Sequence, residues 1–344
     1  MTVNICGMKV NEMKGQILKA LRECDGQLSG QTLSNLLGIS RVSVWKHIQS
    51  LKSAGYVIEA SARGYKLISS PDLLLPYEFT ELEQEIHYFS EVGSTMDVAR
   101  ELARRGAREG TIVIAESQVH GRGRLSRQWF SPQGGIYFTF ILRPGISPVY
   151  APRVNLMASV AVATTIRKLL GLKAELKWPN DVLIEGRKVC GILAEMEAEM
   201  DAVNFVNLGI GINANTSIHQ LENKAISLKD ILGRAISRKE LLRALLTEIK
   251  QQKPLLMEPA LLDEWKKLSA TLNEYVQIVV PGEVMVGRAI DIDTTGALII
   301  EGRNGSVKKA LAGDCIHLRE EARNASSGGG QSAVLNTQDG ADSS

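Results

Sequence analysis

The chain has 344 residues, 44% hydrophobic and 23% charged, the composition of a soluble globular protein with room for two or three domains. Its 40 Lys and Arg nearly balance 38 Asp and Glu, so at a net charge of +2 any nucleic-acid binding must come from a local basic patch. No stretch approaches the roughly 18 consecutive apolar residues of a membrane span, and the N-terminus lacks the apolar core of a signal peptide, so a cytoplasmic protein is expected.

Residues 13–70 read as a unit of their own. Ile17, Leu18 and Leu21, then Leu28, Leu33, Leu36 and Leu37, recur at helical spacing on either side of an Asp25-Gly26 turn, and Gly38 stands as a C-terminal stop. Ser40 sits where an N-cap belongs. Val42, Val44, Trp45, Ile48 and Leu51 then supply the apolar face of a third helix, which Gly55 ends, leaving Arg41, Ser43, Lys46 and His47 to point elsewhere. Two short β-rich runs around a Ser-Ala-Arg-Gly turn make a two-stranded wing. Between Arg41 and Ser70 the basic residues Arg41, Lys46, Lys52, Arg63 and Lys66 face a single acid, Glu59. The order predicts a winged helix-turn-helix, with Ser40, Arg41, Ser43, Lys46, His47 and Arg63 as candidate DNA contacts. A protein-interaction module, or a solvated basic face, is the alternative.

The segment 71–80, with Pro71 and Pro76, is expected to be a linker. Residues 81–270 follow as a mixed region. A helix is expected from Thr95 to Arg105, and strands from Thr111 to Glu116 and Ile136 to Leu142. Pro152 to Leu170 reads as a long helix burying Val154, Met157, Val160, Ala161 and Ile166, before strands at 174–178, 181–184, 188–196 and 203–212. Ser237 and Glu240 form a capping box for a helix with Leu241, Leu245 and Ile249 on one face. Glycine-punctuated β-runs over 271–320 suggest a small SH3-type β-barrel, and the Gly- and Ser-rich segment 321–344 is expected to be disordered. The fold class is therefore multidomain α+β.

Cys6, Cys24, Cys190 and Cys315 contain no CxxC pair, and His47, His87, His120, His219 and His317 no HxxxH spacing, so no structural metal is expected. The most informative segment is Gly121-Arg122-Gly123-Arg124-Leu125-Ser126-Arg127-Gln128-Trp129. Glycines let backbone N–H groups approach an anion and guanidinium forks pair with its oxygens, so the run suits a loop that wraps phosphate or carboxylate and is mobile when empty. Such loops also serve as RNA contacts or plain turns. A second segment runs Lys177-Trp178-Pro179-Asn180-Asp181 and on to Lys188-Val189-Cys190-Gly191-Ile192. Lys188 opens an otherwise buried strand, where an ammonium needs an anionic partner unless it lies at the strand's solvent-exposed end.

Taken together, Ser94-Thr95, Ala115-Glu116-Ser117-Gln118 leading into GRGRLSRQWFSP, KWPNDVLIEGRKVCGILAE, and GIGIN at 209–213 resemble the biotin–protein ligase family, specifically its members with an N-terminal winged helix-turn-helix, the biotin operon repressors. The likeness runs from about residue 13 to 320, and four motifs in order are specific where each alone is not. The resemblance implies a central biotin–lipoate-ligase-like domain that makes biotinyl-5′-AMP from biotin and ATP with magnesium. It further implies transfer to a lysine of the biotin carboxyl carrier protein of acetyl-CoA carboxylase, operator DNA as a second partner, and a ligand-promoted homodimer. Carried over by position, Ser94, Thr95, Met96 and Gln118 look like biotin-binding residues. Gly121, Arg122, Gly123, Arg124 and Arg127 look like the loop over biotin and the adenylate, Asn180 and Asn213 like nucleotide-side residues, and Lys188 with Arg124 like the catalytic cations. The carboxylate attacking the α-phosphorus is already ionised, so the site's task is positioning and charge neutralisation.

The chain departs from that pattern in three places: Ser126 replaces the glycine of GRGRxGRxW, which puts a positive φ there in doubt, Met96 stands where asparagine is usual, and no tryptophan between 213 and 230 is at hand to stack on adenine. A lipoate–protein ligase is the rival enzyme, but its RRxSGGGxVxHD signature is missing. A biotin-sensing regulator without turnover is the other rival, against which Lys188, Arg124 and Arg127 argue.

Overall fold

The computed structural model describes residues 5–82, 84–217, 225–280 and 282–318; the segment 321–344 lies outside them. Three helices, α1 (Ile5–Glu23), α2 (Gly30–Leu37) and α3 (Arg41–Ser53), are followed by an antiparallel wing of β1 (Val57–Ser61) and β2 (Gly64–Ser69). The caps at Ser40 and Gly38 are those of the sequence, and Ser29 adds one more. Ser29 Oγ accepts from the Thr32 N–H and Ser40 Oγ from the Ser43 N–H, at 2.9 and 3.1 Å, and Gly38 closes α2 at φ +65°. Two expectations for this head fail. Leu28 is not helical: it exchanges backbone hydrogen bonds with Tyr65 of the wing at 2.9 and 2.8 Å. Val42 and Trp45 are 63% and 52% exposed, because the buried arc of α3 centres on Val44, Ile48 and Leu51 and the two fall outside it.

Residues 71–80 are packed between head and body. Leu74 and Phe79 are fully buried, and Glu78, at 3% exposed, accepts from Arg22 of α1 at 2.9 and 3.0 Å, from the Tyr56 hydroxyl, and from Lys239 of the body at 3.3 Å. Burial alone would raise the Glu78 pKa, but the Arg22 and Tyr56 donors win and hold it below the usual carboxylate range.

The body is a seven-stranded sheet built from β3 (Ile86–Phe89), β4 (Ile112–Ala115), β5 (Ile136–Leu142), β6 (Ala174–Lys177), β7 (Asp181–Ile184), β8 (Arg187–Ala198) and β9 (Val203–Ile212), in the order β3-β4-β5-β9-β8-β7-β6. Only β3 and β4 run parallel. Helix α4 (Thr95–Arg104) crosses one face, and α5 (Pro152–Leu170) fills the other with Val154, Met157, Val160, Ala161 and Ile166, all 0% exposed. Pro152 starts α5 and Gly171, left-handed at φ +68°, stops it. Helices α6 (Leu228–Leu232), α7 (Arg238–Gln252) and α8 (Pro259–Leu268) complete the layer, Ser237 Oγ accepting from the Glu240 N–H at 3.3 Å to cap α7.

The C-terminal strands β10 (Tyr275–Val280), β11 (Glu283–Ile292), β12 (Leu298–Glu301), β13 (Val307–Ala310) and β14 (Asp314–His317) form an antiparallel sheet in the order β13-β12-β11-β10-β14, with no ladder between its two outer strands among the described residues. Val276, Ile278, Ala289 and Leu298 join the same core as the central sheet. The seam is also hydrogen-bonded: the Trp178 backbone N–H donates to Thr271 Oγ1 at 3.0 Å and its indole N–H to the Gly296 carbonyl at 3.2 Å.

Candidate active site

The arginine-rich segment folds as a short hairpin. Trp129 N–H donates to the Gly121 carbonyl at 2.8 Å and Gly123 N–H to the Arg127 carbonyl at 2.7 Å, with Arg122 opposite Gln128 between them. At the tip Leu125 and Ser126 take φ of +53° and +60°. The doubt about Ser126 is thus resolved against the sequence reading: serine occupies the left-handed region where glycine would be free of strain, at a cost of about 1–2 kcal/mol.

The three arginines tie this hairpin to three places. Arg122 forms ion pairs with Asp97 of α4 and Glu195 of β8 at 2.9 and 2.7 Å. Arg124 donates to Asn180 Oδ1 at 3.4 Å and to the Gly313 carbonyl at 3.2 Å, and Arg127 pairs with Asp314. Burial pulls the Arg124 pKa down from its usual value while Asp314 and Asp181 support its charge. Gly313 and Asp314 lie at β14, so the C-terminal sheet helps hold the hairpin.

Beneath it lies a cavity of about 550 Å³, lined by α4, the hairpin, β7, β8, β9 and β14. At one end the Thr95 N–H and hydroxyl both donate to Gln118 Oε1, at 2.9 and 3.0 Å, and Gln118 Nε2 donates to Ser131 Oγ at 2.9 Å. Met96 and Gly209 adjoin this polar pair, and an added Cβ on Gly209 would meet the Met96 sulfur. At the other end Lys188 Nζ stands 2.6 Å from Asp181 Oδ1 and 5.1 Å from the centre of the Trp129 ring.

Thr95, Met96, Gln118, Arg122, Gly123, Arg124, Arg127, Asn180 and Lys188 all line this cavity; Ser94, Gly121 and Asn213 do not. Ser94 is buried with its hydroxyl unpaired, and Gly121 closes the hairpin stem, where a Cβ would meet the Trp129 carbonyl. Asn213, 2% exposed, backs Lys188, its N–H on the Val189 carbonyl at 2.9 Å. Asp181, Trp129 and Asp314 also line the cavity and were not singled out from the sequence. The first two lie inside recognised motifs, but nothing local marks Asp314. Of the stretch 213–230 that lacks a tryptophan, residues 218–224 lie outside the described residues. Among the described residues no cluster of three or more His, Cys, Asp or Glu could hold a metal ion.

On the head, Arg41, Lys46, Arg63 and Lys66 are exposed, and Val42 and Trp45 share the outer face of α3 with Lys46. Ser40 is spent on the cap and Ser43 is half-buried. His47 is half-buried too, and burial together with the nearby Lys14 lowers its pKa, leaving it neutral at neutral pH.

The profile of the biotin/lipoate A/B protein ligase family matches residues 88–213, an HTH domain profile matches 14–66, and the biotin protein ligase C-terminal domain profile matches 271–318. Over 302 residues the chain is 37% identical to the bifunctional ligase/repressor BirA of Bacillus subtilis (strain 168), covering 83% of this chain and 93% of that one. It is 31% identical over 303 residues to the bifunctional ligase/repressor BirA of Escherichia coli (strain K12), covering 85% and 92%. Among solved structures, the biotin protein ligase from Aquifex aeolicus in complex with biotin and ATP matches at a TM-score of 0.59 and 27% identity, covering 68% of this chain and 99% of that chain.

Proposed function

The chain belongs to the biotin–protein ligase family, in the branch with an N-terminal helix-turn-helix, and on that premise we propose that it joins biotin to a carrier-protein lysine through biotinyl-5′-AMP and represses transcription in response to biotin. The observation that carries the enzymatic half is a single cavity with a polar pair at one end, Thr95 and Gln118, and the cations Lys188 and Arg124 at the other. The first suits the ureido ring of biotin, the second its carboxylate and the α-phosphate of ATP.

In the first step the biotin carboxylate attacks the α-phosphorus and pyrophosphate leaves. Negative charge builds on the α-phosphate oxygens, where Lys188 and Arg124 lie in a partly water-excluded pocket and are worth more than in bulk water. In the second step the carrier lysine's neutral amine attacks the acyl carbon and AMP departs, the biotin carboxyl carrier protein of acetyl-CoA carboxylase being the acceptor. Magnesium fits as an ion carried by the triphosphate, which needs only one or two protein carboxylates, and Asp181 is the one beside Lys188. Its charge would offset that of the phosphates.

Arg41, Lys46, Arg63 and Lys66 supply the phosphate contacts of the head on operator DNA. A single small head offers few base contacts, so the adenylate-bound chain is proposed to dimerise on a two-fold operator. Among the described residues no helix is long and apolar enough to cross a membrane, and the proposed activity is that of a cytoplasmic protein. The test is incubation with ATP, biotin and a biotin carboxyl carrier domain, with mass spectrometry of the carrier. A carrier left unmodified, with no pyrophosphate released, would instead favour a sensor without turnover.

A further inference from the structure

Arg122 is the only residue of the hairpin's first limb, Gly121-Arg122-Gly123, with a side chain to reach the body of the protein. Its guanidinium lies between two acids from different elements: Nη1 is 2.9 Å from Asp97 Oδ1 in the first turn of α4, and Nη2 is 2.7 Å from Glu195 Oε1 near the end of β8. Glu195 is also paired with Arg100, which reaches Asp97 at 3.4 Å, so two acids and two arginines close a ring beside the cavity. The tip and the second limb are tied elsewhere, through Arg124 to the Gly313 carbonyl and Arg127 to Asp314. Arg122 lines the cavity, whereas Asp97 and Glu195 do not.

We propose that Asp97 and Glu195 are positioning residues for the ligase reaction: they act through Arg122 to hold the first limb of the hairpin down over the adenylate. The proposal rests on the ligase reading. With both limbs tied the hairpin is a lid fixed at two ends; with Glu195 neutralised the first limb is held by Asp97 alone and opens more often, so the reactive mixed anhydride escapes or meets water more readily. Glu195 is the stronger anchor, its side chain 27% exposed against 55% for Asp97. Arg122 forks onto two different acids, so losing one leaves it held by the other, and an effect of about three- to tenfold is expected, the range of a partly exposed charge-assisted pair.

The experiment is a chase of preformed biotinyl-AMP from the full-length protein, followed by stopped flow. Glu195→Gln is expected to raise the off-rate about five- to tenfold and Asp97→Asn about threefold, whereas Glu195→Asp, which keeps the charge, should recover part of the loss. In an Arg122→Ala background Glu195→Gln should add less than about twofold, the signature of a residue acting through another. Wild-type off-rates in both neutralised variants would overturn the proposal, as would a full additive effect without Arg122. A slower off-rate would mean that the acids compete with the phosphate for Arg122, which also overturns it. Asp97, on the helix surface, can lose its charge without unfolding the chain, so a misfolded Glu195 variant does not leave the question open. If the wild-type protein forms no biotinyl-AMP at all, the ligase reading fails first.

Discussion

Glu78→Gln replaces a buried carboxylate at the junction of head and body with its neutral isostere. The native side chain, 1% exposed, accepts two hydrogen bonds from Arg22, one from the Tyr56 hydroxyl and one from Lys239. The amide keeps one acceptor and presents an N–H₂ to the same donors. Charge-assisted bonds contribute roughly 1.5–3 kcal/mol each, but Arg22 is 38% exposed and its share is discounted, leaving a net loss of about 2–3 kcal/mol. For a unit of 150–250 residues that lowers the melting temperature by about 5–10 °C. The pH dependence adds a second readout. The folded pKa of Glu78 lies below its unfolded value near 4.3, so its contribution is fully present above that value and is lost as pH falls through the folded pKa. The stability gap between wild type and Glu78→Gln should therefore be constant from about pH 7 to 5 and close on further acidification. Calorimetry at several pH values measures it. Equal melting temperatures at pH 7, or a gap that widens in acid, would refute the account of this junction.

Lys188→Ala should cut adenylate formation about 10²–10³-fold with little change in melting temperature, read by pyrophosphate release and calorimetry. Ser126→Gly relieves a left-handed serine, so the hairpin should close more readily and biotinyl-AMP leave about threefold to tenfold more slowly, since about 1 kcal/mol is at stake in a stopped-flow chase. On the head, Lys46→Ala and Arg63→Ala should each weaken operator binding and lower the slope of log K against log salt by about one, measured by fluorescence anisotropy across a salt series. His47→Ala should leave that slope unchanged, since the imidazole is already neutral.

Local signals in the sequence carried much of this fold. Helix α5 begins at its proline and ends before its glycine as expected, and Ser40 and Ser237 cap where the sequence places them, because each such signal acts within one turn of its own residue. Contacts across the chain were not legible. Leu28 has a helical neighbourhood but pairs with Tyr65, a partner 37 positions away that periodicity does not weigh. Val42 and Trp45 are apolar residues on the outer side of a helix, where a pattern of residue types cannot separate a core face from a binding face. The site divides in the same way. Thr95, Gln118, Arg124 and Lys188 stand in motifs that name them, whereas Asp97, Glu195 and Asp314 are ordinary acids that become meaningful only when folding brings an arginine to each. The segment 71–80 has the prolines of a linker and the contacts of a core element, and only its buried Leu74, Phe79 and Glu78 distinguish the two.

Gly191, Gly209 and Gly211 lie in paired strands at the floor of the cavity, and a Cβ at any of them would run into Trp129 or Met96. Strand-interior glycine is ordinarily a liability of about 0.5–1 kcal/mol, which β8 and β9 absorb because both are paired along this stretch. Positions 191 and 211 are therefore closed to larger residues while the rigid Trp129 ring remains, whereas at 209 the obstacle is the flexible thioether of Met96, which can rotate aside; a smaller residue at 129 would open room for alanine beneath it. Sequence drift beneath Trp129 must pass through paired changes, so a library varying single positions would find 191 and 211 immutable, whereas one varying 129 with 211 would reach pockets of altered shape.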